Sequence, residues 1–546
     1  MPPTTRVPPE LRAAIDELGL ESLRPGQREA IEALVAGRDV LAVMPTGFGK
    51  SAIYQLAGAV IDGPSVVVSP LLALQKDQTD SIGGDLGGAV AINSTVGGGE
   101  RRATLGALRA GEVEFLLLSP EQLAAGGTLE RLRATRPSLF VVDEAHCISS
   151  WGHDLRPDYL GLGEAAAALG RPPILALTAT AAPPVRDEIV EQLGMEDPLV
   201  IVSGFERPNI TLAVERHGDE AAAEAALVDR CVTTDGTGIV FVARRRDAER
   251  LAARLVEEGR EAAVYHAGMA AAARAEVHER FLRGGDLVVV STTAFGMGVD
   301  APHVRFVLHS QAPESLDAYY QELGRAGRDG EPAEAVLHHA LEGGGRRGFM
   351  GGSTRVAPEE LQRAAAALAA AGTLRRGALE GSRSKVAVLA DLLQRVGAAE
   401  PARRGVLRWT GALDVATATR RAHARHERGV ALGRSRAEMV RSYLSARGCR
   451  WRFLLGQLGE PTDRDCGHCD NCLAGDRDGT GGAASPEVGA FPLGSTVRHG
   501  EWGDGLVVGH EGDTLTVLFE GEGYRNLAGS LVADRDLLEV VAPPPD

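Results

Sequence analysis

Lysine is nearly missing from this chain. Of 58 basic side chains, only Lys50, Lys76 and Lys385 are lysines, and the rest are arginines. A lysine here therefore marks a place that needs a compact ammonium and will not take a planar guanidinium. Cysteine is scarce as well. Six occur in 546 residues, and four of them crowd between Cys449 and Cys472. That pattern argues against a disulfide framework and for a metal site in a reducing compartment. No apolar run reaches the roughly 18 residues of a membrane-spanning helix. The first ten residues, Met1–Glu10, are proline-rich and lack the apolar centre of a secretory signal. The expected location is the cytoplasm.

The formal net charge is −16, which by itself disfavours a nucleic-acid partner. The distribution says otherwise. Arg375 to Arg452 holds 18 Lys/Arg against 6 Asp/Glu, whereas Phe453 to Asp546 holds 5 against 17. The central segment is a candidate phosphate-binding surface, and the tail is not. A single arginine there reads best as part of a solvated helix face; the whole segment reads as a DNA contact.

Short apolar runs alternate with helical patterns through the first 340 residues. The runs are Val40–Met44, Ser65–Ser69, Phe115–Ser119, Leu139–Asp143 and Ile174–Thr178, then Gly238–Val242, Ala262–His266, Leu287–Ser291 and Val304–His309. Apolar strands separated by helices such as Asp247–Glu258 and Ala271–Leu282 predict parallel sheets covered on both faces. Two groups of strands imply two α/β domains, with the break near Gly204–Asp219. Beyond the glycine-rich Gly343–Gly352, helices over Pro358–Ala371 and Lys385–Val396 and a strand or wing at Arg403–Trp409 fit either a winged helix or a plain helical linker. Gly494–Val541 has the short strands and glycine turns of a small β-barrel.

Met44-Pro45-Thr46-Gly47-Phe48-Gly49-Lys50-Ser51 follows the first strand and opens a helix. Its glycines let backbone N–H groups cradle phosphates at a helix N-terminus. Lys50 then reaches the β/γ-phosphates of ATP, and Ser51 holds Mg²⁺. This P-loop lacks the usual first glycine. Asp143 and Glu144 end a buried strand, where α/β sheets place their ligands. Asp143 suits Mg²⁺, and Glu144 suits the base that orients the attacking water. An acid pair that only caps a helix is the plain alternative. Arg325 and Arg328, on the glycine-flanked turn Leu323–Gly330, can stabilise charge on a transferring phosphoryl group. In isolation they read as surface ion-pair formers.

Together these residues resemble the motifs of superfamily 2 helicases, and specifically the RecQ family. Arg24-Pro25-Gly26-Gln27 resembles the family's motif 0, whose Gln reads adenine. Thr178-Ala179-Thr180 resembles motif III, which couples hydrolysis to movement. Ser291–Asp300, with Gly298 and Asp300, resembles motif V, and Tyr319–Arg328 resembles motif VI. The resemblance covers about Leu11–Ala340 and then Arg436–Cys472. It implies tandem RecA-like domains, ATP and Mg²⁺ in the cleft between them, and 3′→5′ movement on DNA.

Directly after the acid pair, Cys147–Tyr159 resembles the family's aromatic-rich loop. Trp151 and Tyr159 offer faces to bases, and Arg156 offers phosphate contact or cation–π stacking. His153 belongs to the same set. Leu155 and Ser150 stand where the family has an aromatic and a Gln. Ser69 and Lys76 resemble the backbone-contacting motif Ia. Phosphate contacts position without specifying, so the expected partners are single-stranded, tailed or branched DNA with little sequence preference.

Cys449, Cys466, Cys469 and Cys472 supply four thiolates, enough for a closed tetrahedral Zn²⁺ site, with an iron–sulfur cluster as the rival reading. The spacing resembles the RecQ zinc module. Val497–Gly505 is similar to the small Tudor-like domain of UvrD-type helicases, which docks proteins. Its acidity here points to a protein partner.

The resulting division is a tail at 1–10, α/β domains at 11–208 and 209–345, a basic insertion at 346–434, a zinc module at 435–474, a linker at 475–490 and a β-barrel of SH3/Tudor type at 491–546. In a typical member the distance from motif VI to the first zinc cysteine is about half that seen here. The winged helix usual after the zinc module is not evident. Two other readings stay open: an RNA helicase or remodeller, and a DNA-binding scaffold with a dead ATP site.

Overall fold

The computed structural model describes residues 14–15, 22–70, 79, 82, 88–92, 98–124, 127–149, 156–202, 204–293, 295, 301–341, 355–403, 405–475, 485–519 and 521–544. The chain forms two compact units. One comprises Met1–Gly345, Tyr443–Ala483 and Val508–Gly512, and the other Arg346–Ser442, Ala484–Val507 and Asp513–Asp546.

The first unit holds two parallel sheets. Seven strands run in the order Ala89–Ile92, Phe115–Leu118, Ser65–Val68, Leu139–Val142, Ile174–Thr178, Val40–Val43, Leu199–Val202. Six run in the order Ala262–Tyr265, Val288–Ser291, Thr237–Phe241, Val304–His309, Ala333–Ala340, Ile210–His217. Every pairing in both sheets is parallel. The central strands read as unbroken apolar runs because helices cover both faces, so no position alternates outward. Val40–Val43 and Leu139–Val142 are wholly buried.

All nine strands expected from the apolar runs are present, within a residue or two at their ends. Four more join them: Ala89–Ile92, Leu199–Val202, Ile210–His217 and Ala333–Ala340. Three of these lie at sheet edges or within the expected break. Of these, Ile210–His217 mixes polar with apolar residues, as an edge strand covered on fewer sides can.

In the second unit, helices Pro358–Ala371 and Arg383–Arg395 alternate with a three-stranded antiparallel sheet in the order Thr373–Arg375, Val406–Trp409, Ala399–Arg403. Leu361, Leu368, Leu389, Leu393 and Leu407 form its core. A 31-residue helix, Val415–Ser445, follows. It runs straight through the expected boundary at 434/435. Residues Gly494–Val541 do form short antiparallel strands, in one five-stranded sheet. Its end strands, Gly523–Ala528 and Leu538–Ala542, have no pairing with each other among the described residues, so the expected barrel closure is not seen.

Candidate active site

The phosphate-binding loop leaves the buried strand Val40–Val43 and turns into the helix Lys50–Val60. Gly47 and Gly49 both have φ of 79°, a left-handed conformation that favours glycine. Lys50 Nζ donates to the carbonyls of Met44 at 3.0 Å and Pro45 at 3.3 Å, which holds it across the mouth of the loop. Desolvation lowers its ammonium below the ordinary range, and Arg328 pushes the same way against the pull of Glu144 and Asp143.

Two residues brace the loop from outside. Arg24 donates to Gly47 O at 2.9 Å and lies over the Phe48 ring. Gln27 is buried, and its amide donates to Phe48 O at 3.1 Å and Gly49 O at 3.0 Å. Thr46, Phe48 and Ser51 are half-buried around the loop, and Pro45 is buried beneath it.

Asp143 and Glu144 sit at the end of the strand Leu139–Val142. Asp143 Oδ1 accepts from Glu144 N at 2.9 Å. Glu144 has φ of 50°, uncommon for a residue with a Cβ. That turn aims its carboxylate at His146, whose Nδ1 is 3.3 Å from Glu144 Oε2 and 3.0 Å from Thr178 Oγ1. Thr178 Oγ1 in turn donates to Thr180 O at 3.0 Å.

The second sheet contributes the arginines. They follow the helix Leu316–Leu323 on a turn whose carbonyls are clamped from behind. Arg207 donates to Ala326 O at 3.0 Å and Gly327 O at 2.8 Å, and Asn209 Nδ2 donates to Gly327 O at 2.7 Å. Gly327 is required there, because a Cβ would lie 2.3 Å from Asn209 Nδ2. Sequence reasoning missed Arg207 and Asn209. The only signal was a polar Arg-Pro-Asn placed directly before a strand.

The two halves meet. A Cβ on Gly47 would lie 3.3 Å from the Cγ and Cδ of Arg328. Gln321 Nε2 donates to Thr180 Oγ1 at 3.2 Å. Arg325 is buried, and burial lowers it to about 9, with Arg328 adding to the effect against Glu322 and Glu144. Three cations and two carboxylates thus converge where the first sheet's loop faces the second sheet's turn. A triphosphate with its Mg²⁺ fits this chemistry: Asp143 and Ser51 would hold the ion, and the cations would hold the phosphates.

The expected DNA-binding residues divide. Tyr159 is 1 % exposed, and its hydroxyl donates to Asp143 O at 3.0 Å. It is a core residue that ties the end of the loop to the acid pair, so it has no free face for a base. Ser69 is fully buried at the end of the strand Ser65–Val68. Arg156 is half-buried and donates to Pro70 O at 3.4 Å. Lys76, Trp151, His153, Gly298 and Asp300 lie outside the described residues.

The four cysteines of the late cluster come together with their sulfurs within 4.8 Å of one another. Cys466 and Cys472 Sγ are 3.9 Å apart. Tetrahedral Zn–S bonds of about 2.3 Å give ligand separations of about 3.8 Å. Backbone N–H groups of Cys466 and Arg452 point at Cys449 Sγ, and that of Arg450 points at Cys469 Sγ. Hydrogen bonds from Cys449 and Cys466 hold the Cys469 thiol well below the thiol range. The set fits Zn²⁺ as a closed structural ligand shell.

Neighbouring residues fix the module to the second sheet. Trp451 Nε1 donates to Ile210 O at 3.1 Å, and Arg450 pairs with Asp470 at 2.9 Å. Asp470 Oδ2 also accepts from Val214 N at 2.9 Å.

Three family models match: DEAD/DEAH box helicase over residues 24–189, helicase conserved C-terminal domain over 222–330, and RecQ zinc-binding over 414–473. The chain is 40 % identical over 325 residues to the probable ATP-dependent DNA helicase RecS of Bacillus subtilis, a match covering 59 % of this chain and 65 % of that one. It is 39 % identical over 337 residues to the ATP-dependent DNA helicase RecQ of Pasteurella multocida, covering 61 % and 53 %. The matches thus span between about half and just under two thirds of these relatives' own lengths. Among solved structures, the helicase Lhr of Mycobacterium smegmatis bound to single-stranded DNA and AMP-PNP aligns with a TM-score of 0.51 at 22 % identity, covering 77 % of this chain and 62 % of that one. The DUF1998 helicase MrfA bound to DNA aligns with a TM-score of 0.53 at 17 % identity, covering 76 % and 64 %. At these identities the structural likeness speaks for the fold alone.

Proposed function

The chain belongs to the RecQ family of helicases, with whose DEAD/DEAH box, C-terminal helicase and zinc-binding domains it matches, and on that premise we propose that it is an ATP-driven DNA motor. It hydrolyses ATP between its two α/β domains, moves 3′→5′ along single-stranded DNA and separates duplex strands during repair and recombination.

The observation that carries this reading is the close approach of Arg328 to Gly47, which brings an arginine of one domain onto the phosphate loop of the other. Lys50 and the loop N–H groups bind the β/γ-phosphates. Glu144 orients the attacking water, with His146 and Thr178 fixing its carboxylate. Arg328 and Arg325 stabilise the charge that develops on the transferred phosphoryl group. Asp143 and Ser51 would hold Mg²⁺, which would neutralise part of that charge. Gln27 steadies the loop, and reading adenine is the role that the family resemblance gives it.

DNA contact falls to Arg156, to Trp151, His153 and Lys76, and to the basic segment. Along Val415–Ser445, Arg420, Arg421, Arg428, Arg434 and Arg441 are exposed. They suit the sugar-phosphate backbone of tailed or branched duplexes, a substrate met on the nucleoid. The acidic C-terminal sheet suits a protein partner better than DNA.

Strand separation on 3′-tailed and 5′-tailed duplexes tests the reading. ATP-dependent unwinding of the 3′-tailed duplex is expected, with loss in Lys50→Ala. Hydrolysis stimulated by RNA but not by DNA would favour an RNA remodeller instead.

A further inference from the structure

We propose that Glu215, His217 and His338 form a second metal site, suited to a divalent transition ion with the size and ligand preferences of zinc. The residues come from two neighbouring parallel strands, Ile210–His217 and Ala333–Ala340, in the second sheet. Glu215 is directly opposite His338, and His217 lies two positions further along the same strand. Strand periodicity therefore puts all three side chains on one face.

The distances match a ligand triad. His217 Nε2 and His338 Nδ1 are 3.2 Å apart, His338 Nδ1 and Glu215 Oε2 are 3.4 Å apart, and His217 Nε2 and Glu215 Oε2 are 3.8 Å apart. Zn–N and Zn–O bonds of about 2.0–2.2 Å at tetrahedral angles separate their ligand atoms by about 3.3–3.6 Å. The cysteine cluster meets the same criterion with sulfur distances. Each residue presents one atom to a common point, and the two imidazoles stack at 5.4 Å and 17°.

The surroundings hold the ligands in place. Arg230 donates to Glu215 Oε1 and to Glu334 Oε2, at 2.5 and 2.8 Å, so the carboxylate's other oxygen is the one that faces the rings. A guanidinium that orients a ligating carboxylate is a familiar supporting role. Two carboxylates, Glu215 and Glu334, against one guanidinium leave the neighbourhood negative before an ion binds. His338 is fully buried.

The site is at the end of both strands. Leu341 N donates to His217 O at 2.8 Å there, just where the chain leaves the sheet. An ion would fasten that exit, leaving its fourth position to water.

The test is the metal content of the full-length chain, loaded with Zn²⁺ and then desalted. Two zinc ions per chain are expected, falling to one in His338→Gln and in Glu215→Gln, with unchanged circular dichroism. Cobalt loading gives an independent readout. Thiolate charge-transfer absorption from the cysteine site should persist in both variants, while the additional visible bands of the nitrogen–oxygen site should disappear. If His338→Gln does not fold, His217→Gln, at a half-buried position, takes its place. One zinc per chain in the parent would overturn the proposal, as would two in every variant.

Discussion

Gln321 of the second domain donates its amide to the hydroxyl of Thr180 in the first, at 3.2 Å. Thr180 N–H points to Thr178 Oγ1 at 3.3 Å, Thr178 reaches His146, and His146 reaches Glu144. A continuous polar path therefore links the Glu144 carboxylate to the helix Leu316–Leu323, which leads into the turn of Arg325 and Arg328. Every member is buried or half-buried, where hydrogen bonds weigh more than in water. In the proposed motor, closure of the two domains and alignment of the acid are one event.

Removing the crossing contact should uncouple the domains without emptying the site. In Gln321→Ala, a lost hydrogen bond of about 1 kcal/mol corresponds to roughly a fivefold fall in DNA-stimulated ATP hydrolysis. Basal hydrolysis and KM for ATP should stay near parental values. An equal fall with and without DNA would mean that Gln321 serves the chemistry and not the coupling.

The parts of this site that were legible in the sequence are those packed into a few consecutive residues. The loop around Lys50, the pair Asp143–Glu144 and the cysteine cluster each announce their chemistry by spacing. What was not legible depends on which way a side chain faces. Tyr159 follows a polar loop and carries an aromatic ring, the composition of a stacking platform, yet the fold turns it inward onto Asp143 O. Ser69 ends a strand paired on both sides within the sheet, and it is buried there. Arg207 and Asn209 act on a turn some 120 residues away, and no local pattern reports a contact of that range. The edge strand Ile210–His217 hid in the expected domain break because its polar residues break the apolar run.

Tyr159→Phe separates the two roles of that residue. Deleting the buried hydroxyl should cost about 1 kcal/mol of stability, read from urea unfolding. Affinity for single-stranded DNA, read by fluorescence anisotropy, should match the parent. A variant as stable as the parent but weaker on DNA would return the hydroxyl to the DNA interface.

Asp39 anchors the start of the strand Val40–Val43. It accepts from Arg171 at 2.6 Å, Ile174 N at 2.8 Å and Glu196 N at 2.7 Å. Burial alone would raise its carboxyl; Arg171 and the two N–H groups outweigh this and hold it below the usual carboxylate range. A depressed folded pKa contributes stability that is complete above the unfolded value of about 3.9 and is lost as pH falls through the folded one. Asp39→Asn should therefore cost about 2–3 kcal/mol at pH 7. The gap between parent and variant should close below about pH 4. A gap that holds steady down to acid unfolding would mean that the charge is irrelevant.

The exposed arginines of the long helix should act through phosphates. Each phosphate contact contributes about 0.9 to the slope of log K against log salt. The triple variant Arg420→Ala, Arg421→Ala, Arg428→Ala should weaken duplex binding and flatten that slope by about 2–3. Unchanged affinity and slope would make the helix an ordinary solvated face.

In the proposed motor, Arg328 acts across the cleft on nucleotide held by Lys50. Its most direct test is ATP hydrolysis by Arg328→Ala at saturating single-stranded DNA, alongside nucleotide affinity. A fall of about 10³-fold in kcat, with nucleotide still bound, is the expected result, since an arginine of this kind is worth about 10³–10⁵ in rate. Hydrolysis at the parental rate would contradict the account, because the two domains would then not share one active site.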